Sequence, residues 1–294
     1  MGHYLTLTKR KMNKTITIAK RTLLDNFNRK SLLFLLFILI TSVLFLQSGI
    51  VSKYNVNLND FRVLEALYTS KFLMIGFIWT LGIPVLIYFA LLISGSISKE
   101  INSGMTLLVL TRPVKREEYL LGKFLGYWKF FNLFNLISLI LIPAANNVFF
   151  GMPAAYLIPM YKVALALFVY GIILTAILTS LGIMLSCKIK RSLISLMVLF
   201  VFLLTIYLVP LVNNVSSGIP YLIKPFFSII DWFNIGILPD AARGLSMFTG
   251  TYYVSSNLVF SNFGSPLLTI LLFVGILIGL LVLARFIFIK KDIF

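Results

Sequence analysis

Residues 99–123, KEINSGMTLLVLTRPVKREEYLLGK, form a charged, turn-rich stretch between two long apolar ones, and they hold most of the residue types here that can do chemistry. His3 is the only histidine and Cys187 the only cysteine, so an internal disulfide and a His/Cys metal cluster are both excluded. Ser94 and Ser180 have no histidine, lysine or aspartate at their depth to act as a base, which removes nucleophilic hydrolysis. The Gly122-Lys123 pair runs on into Phe124 and lacks the spacing of a phosphate-binding loop. Carriers for ion coupling are also missing, because no ionisable side chain lies in the middle of an apolar stretch. What remains is recognition: an apolar run, Thr106 to Leu110, set among Lys99, Glu100, Arg112, Lys115, Arg116 and Lys123.

The order of residues in this stretch predicts a hairpin. Lys99 and Glu100 mark the end of the preceding apolar segment, Gly104 permits a change of direction, and Met105 to Leu110 give a short apolar ridge. Arg112 and Pro113 stop that element, with Thr111 pushed toward extended geometry by the proline. Glu117, Glu118 and Tyr119 open a new helix that runs through Gly122 and Lys123 into the next apolar segment, with its acids near the positive helix end. A short helix of this kind, apolar on one side and flanked by charge, fits a cleft on a cytoplasmic partner. A solvated loop that merely gathers positive charge would explain the basic residues but not the apolar run.

The surrounding elements follow from composition. With 294 residues, 60% of them hydrophobic and 12% charged, the chain is too apolar for a soluble globule and reads as an all-α polytopic membrane protein. Six stretches reach the roughly 20 residues needed to cross the hydrocarbon core, at 31–50, 72–97, 130–150, 163–187, 192–212 and 266–289. Helices are expected because lipid offers backbone amides no partner. Lys and Arg divide twenty to six between the two sides, which predicts both termini in the cytoplasm of a multi-pass plasma-membrane protein. The net charge of +17 lies mostly beside the spans, so anionic lipid headgroups rather than nucleic acid are the expected partner. No cleaved export signal is expected, since the first span starts only after thirty residues.

Residues 1–30 read as a cytoplasmic tail in which Ile16, Ala19, Leu23 and Phe27 share one face of an amphipathic helix lying on the inner leaflet. Residues 31–294 read as one transmembrane domain. Gly82 and Pro84 predict a kink in span two. Residues 213–265, with Pro220, Pro225 and Trp232, predict an external region of broken helices between spans five and six.

The stretch KEINSGMTLLVLTRPVKREEYLLGKFLG resembles the segment between spans two and three of ABC-2 type transporter permeases, in which an acid, a glycine, an apolar run, Arg-Pro-Val, a basic position and Leu-Leu-Gly-Lys recur. Lys115 stands where a small polar residue is common in that family. The resemblance implies a cytoplasmic coupling helix that contacts a separate ATPase subunit, involving Glu100, Gly104, Met105, Thr106, Leu107, Leu108, Leu110, Arg112, Pro113 and Arg116, with Gly122 and Lys123 at the start of span three. It implies two ATPase subunits that hold the ATP and Mg, and a second copy of this chain or a related permease. This chain would then bind no cofactor and carry no enzymatic site of its own. The implied activity is export of a hydrophobic, amphipathic, peptide-like or lipid-like substrate. Asn132, Asn135, Thr175 and Thr179 are the polar side chains available to line its path, with internal helix hydrogen bonds as their other use. Two further readings stand beside it: a secondary transporter or channel acting without an ATPase, and a non-transporting scaffold or sensor subunit.

Overall fold

The structure is a computed structural model that describes residues 2–47, 68–69, 71–73, 75–104, 114–189, 191–212 and 266–290. Among these residues the secondary structure is helical, without strands. In chain order the helices are α1 (Gly2–Asn26), α2 (Arg29–Gln47), a π-helical segment (Ile75–Thr80), α3 (Ile83–Ser94), α4 (Ser98–Asn102), α5 (Arg116–Phe150), α6 (Leu157–Lys188), α7 (Ser192–Val212) and α8 (Pro266–Lys290). Five helical runs among the described residues are long and apolar enough to cross a membrane: Arg29–Gln47, Lys71–Asn102, Arg116–Phe150, Ala154–Lys188 and Leu271–Lys290. The expected fifth span is helical over its whole predicted length as α7. Its side chains are described over Ser192–Phe202, which is apolar. The expected external region at 213–265 lies outside the described residues.

The most buried of the five runs is the one containing α6, and the least buried is the one containing α8. α6 packs against α5, α3, α7 and α8, so it is the pillar of the bundle. An aromatic cluster fixes α2, α3 and α5 to one another. Phe130, Phe131 and Phe134 on α5 meet Phe27, Phe34, Tyr88 and Phe89, with ring centroids 3.8 Å apart for Phe89–Phe131 and 4.2 Å for Phe34–Tyr88. Such contacts matter in an apolar surrounding, where shape-matched dispersion replaces the drive to leave water.

Span two is interrupted where Gly82 and Pro84 predict a kink. The Leu81 amide donates to the Gly76 carbonyl at 2.7 Å, a bond one residue wider than an α-helical one. The chain then turns through Leu81 and Gly82 before α3 begins. A Cβ on Gly82 would lie 1.9 Å from the Ile78 carbonyl oxygen, so only glycine fits this crossing.

α5 begins at Arg116, one residue before the expected opening at Glu117, and runs unbroken into the apolar stretch that starts at Phe130. Its 35 residues make it about 52 Å long at ~1.5 Å per residue. It ends at Gly151, whose φ of 63° suits glycine, with the Gly151 amide donating to the Asn146 carbonyl.

α1 lies along the first part of α5 through a face rotated somewhat from the expected one: Ala19 is buried and Phe27 packs edge-on against Phe130, but Thr22 and Asn26 are buried with them while Ile16 is half exposed. The seam is made by glycines: a Cβ on Gly122 would sit 2.7 Å from Ile18 Cβ, and one on Gly126 would sit 2.6 Å from Thr22 Cβ and 2.8 Å from the Ala19 carbonyl oxygen. Gly-x-x-x-Gly spacing lets two helix backbones close together, and that favours small residues on the opposing face over large apolar ones. The turn into α2 is held by Asn28, whose Oδ1 accepts the Ser31 amide at 3.0 Å, and by the Ser31 hydroxyl donating to the Asn26 carbonyl at 2.6 Å.

Gly126→Leu is expected to displace α1, costing about 1–3 kcal/mol from overpacking, seen as a lower Tm and faster proteolysis within residues 2–26. Gly275→Leu, at a position with open space around it, is expected to leave both unchanged.

Candidate functional site

The hairpin base is described on both sides, at 98–104 and from 114 onward, whereas Met105, Thr106, Leu107, Leu108, Leu110, Arg112 and Pro113 lie outside the described residues. α4 is only five residues long, and its first amides would be orphaned at a helix start. The Ser186 hydroxyl, near the end of α6, accepts the Ile97 and Ser98 amides at 3.0 and 3.1 Å. After α4 the chain reverses at Gly104, where φ is +73°, a left-handed conformation that favours glycine.

Glu100, projecting from α4, is shared between two side chains of α5. One carboxylate oxygen accepts the Tyr119 hydroxyl, and the other accepts Lys123 Nζ at 2.5 Å. The Lys123 side chain is only 10% exposed and that of Glu100 26%. Tyr119 and Lys123 are four residues apart, so one helix face presents both donors. The ammonium also lies 5.8 Å from the Tyr119 ring centroid, within cation–π range. Glu118 accepts the Lys115 amide at 3.1 Å and so fixes the start of α5.

The first turn of α5 also grips the last turn of α8. Arg116 Nη1 donates to the Ile289 carbonyl at 2.9 Å and to that of Phe288 at 3.5 Å, capping carbonyls that a helix end leaves without partners. Arg285 donates to Glu117 through Nη2 at 2.7 Å and Nε at 3.1 Å. The Tyr119 ring stacks on Phe288 with centroids 5.9 Å apart. The ends of α4, α5, α6 and α8 are thereby tied at one level.

Of the described residues in the predicted coupling set and span-three entry, Gly104 turns in open space and the others are tied to neighbouring helices. Glu100 and Lys123 neutralise each other, Arg116 bonds the backbone of α8, and Gly122 lies against α1. A buried, paired lysine cannot present its charge to a partner without breaking that pair. These groups brace the base of the hairpin. The tie to α8 was not visible in sequence spacing, since Glu117 and Arg285 are 168 residues apart. The Gly122–Gly126 seam was visible as a spacing.

The four predicted path residues lie where α5 and α6 meet. Asn132 Nδ2 donates to the Trp128 carbonyl at 2.8 Å, Thr175 to the Gly171 carbonyl at 2.7 Å, and Thr179 to the Thr175 carbonyl at 2.5 Å. Across the seam, Trp128 Nε1 donates to the Ile172 carbonyl at 3.1 Å and Thr175 reaches Asn132 Oδ1 at 3.4 Å. Three of the four are thus bonded within the helices, and Asn135 is the exception.

Comparison with protein-family models and with curated proteins returned no match.

Glu100→Gln or Lys123→Met alone is expected to cost about 2 kcal/mol, since each leaves a mostly buried charge unpaired. The double change should cost less than the sum, as read in a denaturation double-mutant cycle.

Proposed function

We propose that this chain is the membrane-spanning permease subunit of an ATP-driven exporter of the ABC-2 type, working with a separately encoded ATPase. Six crossings, both termini in the cytoplasm and an N-terminal helix at the inner leaflet belong to this reading. Two ATPase subunits would serve a pair of permease chains, and the substrate would be hydrophobic, amphipathic or peptide- or lipid-like.

The observation that carries the reading is the clamped hairpin base, with Glu100 held by Tyr119 and Lys123 on either side in sequence of the segment that resembles the coupling helix. A helix that receives force must be fixed to what it moves. Here the fixture reaches α4, α5, α6 and α8 together. A push on the hairpin would therefore turn several long apolar helices as a unit instead of bending a loop.

The test is gentle-detergent purification of the tagged chain from its native membrane, followed by identification and ATPase assay of what accompanies it. A stoichiometric ATPase is expected, and Leu107→Asp with Leu108→Asp should remove it while folded insertion is retained. Coupling unchanged by those substitutions would overturn the reading. So would substrate flux in vesicles that follows an ion gradient and ignores ATP.

A further inference from the structure

We propose that Thr80 and Asn135 hold one buried water molecule at the break in span two. The inference does not depend on the identity of the transported substrate or on the ATPase.

The placement follows from packing. A Cβ on Gly76 would strike Leu167 Cδ1 at 2.3 Å and approach Leu139 Cδ2 to 3.7 Å, so this face of the π-helical segment looks into the groove between α5 and α6. About one turn further along span two, on the same face, is Thr80. The corresponding step back along α5, from Leu139, reaches Asn135, and the step forward along α6, from Leu167, reaches Gly171. The layer closes on itself: a Cβ on Gly171 would lie 3.5 Å from Asn135 Nδ2 and 3.0 Å from Leu81 Cδ2, and Leu81 is the residue after Thr80.

Within this layer Asn135 is 1% exposed and Thr80 is fully buried. The Thr80 hydroxyl and both polar atoms of the Asn135 amide have no hydrogen-bond partner among the described residues. Leaving three such atoms unpaired in an apolar interior is costly, and native proteins rarely do so. The neighbouring polar side chains are already committed, Ser138 to the Phe134 carbonyl and Thr175 to the Gly171 carbonyl.

The donor set selects the ligand. A hydroxyl and a carboxamide offer both donors and acceptors without charge, and no ionisable residue lies within this part of the three helices to balance an ion. A small neutral molecule that both donates and accepts fits, and water satisfies two to four such partners. Pro84 has no amide hydrogen for the Thr80 carbonyl four residues back, so the backbone adds a further acceptor beside the same point.

The test is a thermal-denaturation cycle on the full chain in nanodiscs with Thr80→Val, Asn135→Leu and both together. Each single change should lower Tm by about 2–4 °C, the double change should fall short of the sum, and Thr80→Ser should keep the native value. A structure that resolves ordered waters should show one within hydrogen-bond distance of both Thr80 Oγ1 and the Asn135 amide. Additive changes that leave Tm the same or raise it would overturn the proposal, as would a direct Thr80–Asn135 bond in that structure.

Discussion

A helix of 35 residues, about 52 Å long, exceeds what a hydrocarbon core of roughly 30 Å can cover. About 20 Å of α5 therefore lies beyond such a core, and it offers a platform for the elements packed around its first turns. α1 covers one side through Gly122 and Gly126, α4 closes another through Glu100, and α8 ends against the first turn through Arg116 and Glu117. Shorten α5 to its apolar part and none of these contacts has a platform.

The two ends of this overhang are held by different physics. Along α1 the contact is close backbone approach, which depends on small residues and tolerates almost no added volume. At the hairpin base it is charge pairing in a partly buried setting, where the cost of stripping water is met by several hydrogen bonds at once. The first resists sliding of the helices, and the second resists separation of their ends. Together they tie the hairpin's base to the bundle.

Deeper in the bundle span two is built to yield. A π-helical segment, a glycine that admits no side chain and a proline follow one another within ten residues of sequence, opposite the central helix α6. The break at Gly82 and the brace at Glu100 lie at opposite ends of α3. Buried polar atoms of Thr80 and Asn135 lie beside the break.

Much of this was legible in the residues. The long apolar runs, the turn at Gly104, the acids opening α5 and the interruption at Gly82 and Pro84 are local properties, because helix formation and its interruption depend on neighbours within about one turn. What the sequence left open was which distant groups would meet. Ile16 is as apolar as Ile18, yet only the second faces the Gly122 seam, and nothing near residue 16 records where that glycine lies. Lys123 reads as one more cytoplasmic charge until Glu100 folds back onto it. Glu117 and Arg285 pair only because α8 ends beside the start of α5. The sequence by itself determined an all-helical chain of long apolar segments with a charged hairpin, since period and hydropathy are carried residue by residue. Only the tertiary structure decided that the hairpin's charges are spent on a brace, because pairing energy depends on distance and burial across the fold.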